Sequence, residues 1–223
     1  MLSIIVPVLN EAKIIQRQLE DLQVYREQGA ELIVVDGGSE DQTAHLAKFL
    51  ADRVIVSEPG RATQMNRGAE IATGKVLLFL HIDTDFPDNS FVELQQILHS
   101  NHFNWGWFDV RLSNAGIAYQ VVASCMNIRA RLTWICTGDQ SLLVSRQLFR
   151  KIRGFPEIPL MEDVAISKLL RRVAQPWICK EPVVASVRRW EQKGLVRTIL
   201  LMWKLRFLYF VGVNPDRLVT RYY

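Results

Sequence analysis

Along the first part of the chain, short blocks of apolar residues alternate with segments whose apolar positions recur every three or four residues. Ser3 to Leu9 is a β-branched run that stops at Asn10. Beyond it Ile15, Leu19 and Leu22 share one helical face, with Asn10 placed to cap that helix and Gly29 to end it. Leu32 to Val35 reads as a second buried strand, closed by Asp36 and the turn Gly37-Gly38. Ser39 with Gln42 forms a capping-box pattern and predicts a helix to about Ala51. Arg53 to Ser57 is a third strand, Met65, Ala69 and Ala72 lie at helical spacing, and Val76 to Leu80 is a fourth strand. Near-continuous apolar strands separated by helices predict an α/β domain whose mostly parallel central sheet is flanked by helices. Such sheets bind ligands beyond the carboxyl ends of their strands, which singles out Asn10, Glu11, Asp36, Asp83 and Asp85.

The second half is less regular. Trp105 to Leu112 suggests a strand, Ile117 to about Trp134 a long helix, Ser141 to Val144 a return to the sheet, and Asp163 to Val173 another helix. Leu195 to Val213 is apolar and helical, ending before Asn214-Pro215. No repeat, low-complexity tract or linker is visible. Residues 1–194 are expected to form one domain and 195–223 a C-terminal apolar helical extension. That last helix carries Arg197 and Lys204 on one side and Arg206 on the other, so its apolar stripe is not clean. Packing on its own domain, peripheral membrane contact at the inner face, and a homo-oligomer through 195–213 all stay open.

Composition narrows the class. Hydrophobic residues make up 49% and charged ones 22%, which supports a sizeable core and excludes global disorder. A formal charge of +4 fits phosphate-bearing ligands or an anionic surface without choosing between them, and no nucleic-acid partner is expected. Cys125, Cys136 and Cys179 form no Cys-x-x-Cys pair and are expected to be small buried residues of a reducing cytoplasm. Asn10 and Glu11 interrupt the first apolar run too early for a signal peptide, and no stretch reaches the roughly 18 apolar residues of a membrane span. The expected location is cytoplasmic.

The sharpest chemical signal is Asp83-Thr84-Asp85, two carboxylates one residue apart after a buried strand. Hard cations such as Mn2+ or Mg2+ take oxygen ligands, and a diphosphate supplies several. Alone the motif is weak, because acidic loops are common. Asp36 suits ribose hydroxyls or a base edge, or it is a turn aspartate satisfying its own backbone. Neither Gly-x-Gly-x-x-Gly nor a phosphate-binding Gly-x-x-x-x-Gly-Lys loop is present, so a dinucleotide-binding reading loses its fingerprint. A phosphohydrolase with Asp83 as nucleophile fits poorly, since the motif follows several strands rather than the first.

An ordered set of motifs then resembles the family 2 glycosyltransferases: Val6-Pro7-Val8-Leu9-Asn10-Glu11, Val35-Asp36-Gly37-Gly38-Ser39, Asn66-x-Gly68-Ala69 with Gly74, Asp83-Thr84-Asp85, Met161-Glu162-Asp163 and Arg188-Arg189-Trp190. Each is modestly specific; their order over residues 3 to 194 is the stronger signal. Gly60-Arg61-Ala62 and Gly138-Asp139-Gln140 look similar to a bacterial subgroup associated with arsenosugar biosynthesis. The resemblance implies a GT-A-like fold and an inverting transfer of a sugar from a nucleotide-sugar donor to an unidentified acceptor hydroxyl. It implies that Pro7, Asn10, Glu11 and Asp36 bind the nucleoside, that Asp83 and Asp85 meet ribose and metal-diphosphate, and that Asp163 is the general base.

Inversion needs one carboxylate to take the acceptor's proton as it attacks from the face away from the diphosphate. Glu162 beside Asp163 disfavours a second negative charge; read alone, the pair merely complements a helix N-terminus. Arg188 and Arg189 suit phosphate oxygens and Trp190 a sugar face, or all three form a solvated edge beside a core aromatic. Arg61 is a phosphate contact or a surface charge, and Gly138, Asp139 and Gln140 are candidate contacts to hydroxyls. Ser186 stands where processive members carry the Gln or Arg opening Gln-x-x-Arg-Trp, so single-sugar transfer is expected. A nucleotide-sugar-binding module without catalysis is the competing reading.

Overall fold

The computed structural model describes residues 1–86, 90–100 and 102–222. Its centre is a sheet in the order β3-β2-β1-β4-β7-β6-β8-β5. Those strands are β1 (Leu2–Val8), β2 (Glu31–Asp36), β3 (Arg53–Val56), β4 (Val76–Phe79), β5 (Thr84–Asp85), β6 (Trp105–Leu112), β7 (Leu142–Ser145) and β8 (Trp177–Ala185). β1, β2, β3 and β4 run parallel. β7 then enters antiparallel between β4 and β6, so the sheet is mixed rather than mostly parallel in its second half.

The helices are α1 (Ile15–Asp21), α2 (Gln23–Glu27), α3 (Thr43–Ala47), α4 (Arg61–Ile71), α5 (Ser90–His99), α6 (Ile117–Thr133), α7 (Arg146–Lys151), α8 (Glu162–Leu170), α9 (Arg188–Lys193), α10 (Leu195–Phe210) and α11 (Pro215–Tyr222). They cover both faces. Strand residues alternate between two cores because successive side chains point to opposite sides of a sheet. Ile4, Val6, Leu32, Val34 and Leu78 join Ile15, Leu19 and Tyr25 in one core. Ile5, Ile33, Val35, Leu77 and Phe79 meet Met65, Ala69, Leu148 and Ile166 in the other.

Gly68 makes the second core possible at its tightest point. A Cβ there would stand 2.5 Å from Cγ2 of Ile5 and 3.0 Å from Cγ2 of Val35, so only a glycine lets α4 lie this close to the sheet.

Two capping expectations fail for one reason. Asn10 does not cap α1, whose first turn has no side-chain cap, and Ser39 does not cap α3, which begins only at Thr43. Asn10 N–H instead donates to Ser39 Oγ at 2.8 Å, and Glu40 N–H donates to Asn10 Oδ1 at 2.9 Å. The two loops satisfy each other across the strand ends, which removes both side chains from local helix duty.

Cys136 and Cys179 are buried, and burial pushes the Cys136 thiol up to about 12. Cys125 is exposed, contrary to expectation, on the outward face of α6. Among the described residues, no helix is long and apolar enough to cross a membrane.

Candidate active site

The site begins where β1 and β4 part. Their ladder ends at Ile5↔Phe79, with Leu80 N–H donating to Ile5 O at 3.0 Å. Pro7, the next β1 residue on that side, has no N–H to continue it. On the other side β1 stays paired with β2 through Val8↔Asp36. Gln64, 3% exposed, donates from Nε2 to Val8 O and Val35 O, both at 2.8 Å, and so ties the two strand ends together. Sequence reading missed it. Its signal was a lone amide on the α4 face otherwise made of Ala62, Met65 and Ala69.

The β1 loop is held by side chains from the β2 loop. Glu11 N–H donates to Thr43 Oγ1 at 2.8 Å and Ala12 N–H to Asp41 Oδ2 at 3.1 Å. Asn10 has φ 55, a left-handed conformation that asparagine tolerates better than most residues. Asp36 is 2% exposed and accepts hydrogen bonds from the Ser39 N–H at 3.0 Å and the Ser39 hydroxyl. This carboxylate is satisfied by its own turn.

Next comes the acidic turn. His81 O accepts the Thr84 N–H at 3.1 Å, and Asp83 O accepts the Ser186 N–H at 3.1 Å. β5 is thereby sewn to β8 through Thr84↔Ala185 and Asp85↔Val184. Asp85 Oδ1 accepts from Gln18 Nε2 of α1 at 2.8 Å. Just after β8, Arg188 Nη2 lies 3.3 Å from both oxygens of Glu11. Burial raises the Glu11 carboxyl, Arg188 works against that, and the negative charges of Asp83 and Asp41 add to it. Glu11, Asp83 and Arg188 therefore share one electrostatic neighbourhood. Trp190 packs partly buried against the first core, and the Arg189 side chain lies outside the described residues. No group of three or more His, Cys, Asp or Glu among the described residues is arranged to hold a metal by itself.

A second charged cluster adjoins the first through His81. The turn Gly138–Gln140 brings Gly138 against the His81 ring so closely that a Cβ would sit 2.0 Å from its Cε1. Gly138 N–H donates to Asp163 Oδ2 at 3.1 Å, and Val164 N–H donates to Asp163 Oδ1 at 2.7 Å. Both oxygens of that carboxylate are thus aimed by backbone. Met161, at φ 70, turns the chain sharply into α8 just before the acidic pair.

Burial raises the Asp163 carboxyl above its ordinary value, against the pull of its two backbone hydrogen bonds and of His81; Asp139 adds to the rise. Burial and the charge of Asp163 push Glu162 up to about 7, with Arg61 opposing. Burial also acts to raise Asp139, but its interactions with His81, Arg61 and Arg129 prevail and hold it low. His81 Nδ1 stands 3.8 Å from Asp139 Oδ1.

Gln140 is fully buried and serves the turn, its Oε1 accepting from the Thr137 N–H and from Arg129 Nη2, each at 3.2 Å. Sequence reading missed His81 and Arg129, which carry no motif and acquire meaning only from what they face. A small cavity of ≈ 20 Å³, lined by Met65, His81, Cys136, Phe155, Glu162 and Asp163 among others, lies behind the pair. Asn66 shapes that wall: its Nδ2 donates to Phe155 O and its Oδ1 accepts the Phe155 N–H, both at 2.9 Å. The whole arrangement offers a carboxylate with a proton affinity above the ordinary, fixed beside a mixed-charge mouth, which suits general-base work on a hydroxyl.

Known proteins agree with this architecture. A family model described as Glycosyl transferase family 2 matches residues 3–141. The PGL/p-HBAD biosynthesis glycosyltransferase of Mycobacterium bovis is 26% identical over 251 residues, covering 92% of this chain and 98% of that protein. A mannosyltransferase from Pyrobaculum calidifontis, solved with GDP-Man and Mn2+, aligns with a TM-score of 0.66 at 20% identity. That alignment covers 92% of this chain and 60% of the other, so the chain spans under two thirds of that relative. Glucosyl-3-phosphoglycerate synthase from Mycobacterium tuberculosis, solved with Mn2+, uridine-diphosphate and phosphoglyceric acid, gives 0.64 at 19% identity, covering 96% and 79%. The fold is GT-A-like. These relatives lend no support to the narrower arsenosugar resemblance.

Proposed function

Because the chain belongs to glycosyl transferase family 2, and is therefore a glycosyltransferase rather than a bare binding module, we propose that it moves a single sugar, with inversion, from a nucleoside-diphosphate sugar to an acceptor hydroxyl. One observation carries the reading. The segment from His81 to Asp85 touches both halves of the site: Asp83 shares the electrostatics of Glu11 and Arg188, and His81 abuts Gly138, whose N–H holds Asp163. A donor diphosphate in the first neighbourhood leaves its sugar facing the second.

The roles follow from chemistry. Asp36 and the loop of Asn10 and Glu11 receive the nucleoside, with Ser39 yielding the Asp36 carboxylate to ribose hydroxyls. Arg188 offers a planar donor fork to phosphate oxygens, and Arg61 lies close enough to Glu162 to oppose the rise of its carboxyl. Asp163, aimed by two backbone N–H groups, removes the acceptor proton. With Ser186 in place of a processive enzyme's residue, one sugar is added per encounter.

Asp83 and Asp85 fit a hard divalent cation. Among the described residues no third His, Cys, Asp or Glu joins them, the donor set expected where phosphates and waters complete the shell. Asp83 is also close enough to Glu11 to help raise its carboxyl, after burial and against Arg188, so negative charge gathers on this side of the site. When bound, Mn2+ or Mg2+ there neutralises charge on the departing diphosphate. The Mn2+ in the two structural relatives supports this choice.

The test is a thermal-shift screen of uridine and guanosine diphosphates and their sugars, with and without Mn2+. A saturating ligand raises the melting temperature by about 5 °C or more. No shift with any nucleoside diphosphate overturns the proposal.

A further inference from the structure

Helix α10 is apolar on two opposite sides. Its inner side, with Leu205, Leu201, Met202, Leu208 and Tyr209, packs on Leu160, Met161 and Val164 at the start of α8 and on Leu218 of α11. The helix therefore docks on its own domain, beside the acidic pair. Its outer side shows Val196, Leu200, Trp203, Phe207 and Phe210, spaced four, three, four and three residues apart, each between 60% and 80% exposed. At helical spacing these five form one continuous stripe. Arg197 and Lys204 run along one border of that stripe and Arg206 along the other. The polar positions that broke the pattern in the sequence are thus the seams between a docked face and a bare one.

Charge distribution identifies what covers the bare face. Residues 195–223 hold five Lys or Arg against one acidic residue, a surplus of four that equals the formal net charge of the whole chain, +4. The preceding 194 residues are neutral, and α10 itself carries no Asp or Glu. A second copy meeting this stripe through a two-fold axis sets the basic borders of α10 against each other, and the helix supplies no carboxylate of its own to offset them. An anionic lipid surface has the opposite sign. The helix has 16 residues, about 24 Å long, too short to span a bilayer core but suited to lying in its interface. Trp and Phe on the buried side with Lys and Arg reaching back to headgroups is the composition such helices use.

We propose that the outer stripe of α10 binds the surface of an anionic lipid bilayer in plane, Trp203 and Phe207 entering the headgroup boundary and Arg197, Lys204 and Arg206 pairing with lipid phosphates. Because the inner side of the same helix packs with Met161 and Val164, such docking holds the start of α8, beside Asp163, close to the membrane. Surface binding itself needs no transferase chemistry.

Flotation of the full chain with vesicles, in the absence of nucleotide, tests it. The protein should float with phosphatidylcholine vesicles containing phosphatidylglycerol, and much less with phosphatidylcholine alone or at high salt. The double variant Trp203→Glu with Phe207→Glu should lose at least about tenfold in partitioning while its melting transition stays intact, since both side chains are exposed. The triple variant Arg197→Gln, Lys204→Gln and Arg206→Gln should lose the preference for anionic vesicles. Failure of the wild type to float overturns the proposal, as does equal flotation of the double variant. A dimer in light scattering that the double variant dissociates, without vesicle binding, assigns the stripe to a second copy and also overturns it.

Discussion

Arg188 reaches back over 177 residues to place its Nη2 3.3 Å from both carboxylate oxygens of Glu11. The pair bridges the loop after β1 and the start of α9, the two segments that flank the proposed diphosphate position. Both partners are partly exposed, so the pair contributes little stability by itself. Its chemistry is that of a placeholder. On the proposed reading a donor phosphate would compete with Glu11 for the guanidinium, and Arg188 would follow it without losing a charged partner.

Arg188→Ala should therefore weaken nucleoside-diphosphate binding by about tenfold or more, the value of a charge-assisted hydrogen bond. Titration calorimetry with uridine and guanosine diphosphate measures this. Thermal stability without ligand should change by less than about 1 kcal/mol.

Asp163→Asn keeps the shape of the side chain and removes its capacity to accept a proton. Turnover should fall by about 10²–10⁴-fold while the donor dissociation constant moves less than about threefold. Single-turnover kinetics beside donor titration separates the two quantities. Unchanged turnover removes Asp163 as base.

Stability should carry a pH signature from the acidic pair. The folded-state value of Glu162 is raised from 4.5 to about 7, by burial and then by the charge of Asp163. Between those values the folded chain binds a proton that the unfolded chain releases, so stability falls as pH rises through that window and levels above it. Glu162→Gln cannot ionise and should escape the loss. The stability difference between wild type and variant should shift by about 3 kcal/mol in the variant's favour between roughly pH 4.5 and pH 8. Carboxylates held low, such as Glu31 and Asp52, slope the other way at more acidic pH and cancel in the comparison. Urea denaturation across that range reads the difference.

Gly68→Ala tests the packing that aligns the strand ends. The added methyl would stand 2.5 Å from Ile5, closer than any relaxed contact, and 3.0 Å from Val35, both fully buried. Destabilisation of about 1–3 kcal/mol is expected. Denaturant melts measure it, with Gly38→Ala, where a Cβ meets nothing but φ is +86, as a control for backbone strain alone.

Strands β1, β2 and β4 were legible because each carries a continuous apolar stretch, from Ile4 to Val8, Leu32 to Val35 and Val76 to Phe79, that is buried on both faces. β6 was legible at its observed bounds, Trp105–Leu112. β8 was not: Lys180, Glu181 and Pro182 interrupt it, and its irregular register with β6 near Val110 breaks the alternation. The capping patterns at Asn10 and Ser39 misled because each side chain found a partner in the other loop.

The candidate site divides the same way. Asp83, Asp85 and Asp163 stood out as carboxylates following or opening regular elements, and Asp36 likewise. Gln64, His81 and Arg129 did not, since a buried amide, an imidazole and a guanidinium announce themselves only through the atoms they meet.

Hydrophobic period and the order of motifs are local properties, written residue after residue, so they carried the parallel strands β1 to β4, the family and the acidic strand ends without coordinates. Tertiary structure alone decided that Glu162 and Asp163 share a desolvated pocket, that Glu11 faces Arg188, and that α10 hides one apolar side while baring the other. Desolvation and Coulomb interaction depend on distance through space, and a chain encodes that distance only once it has folded.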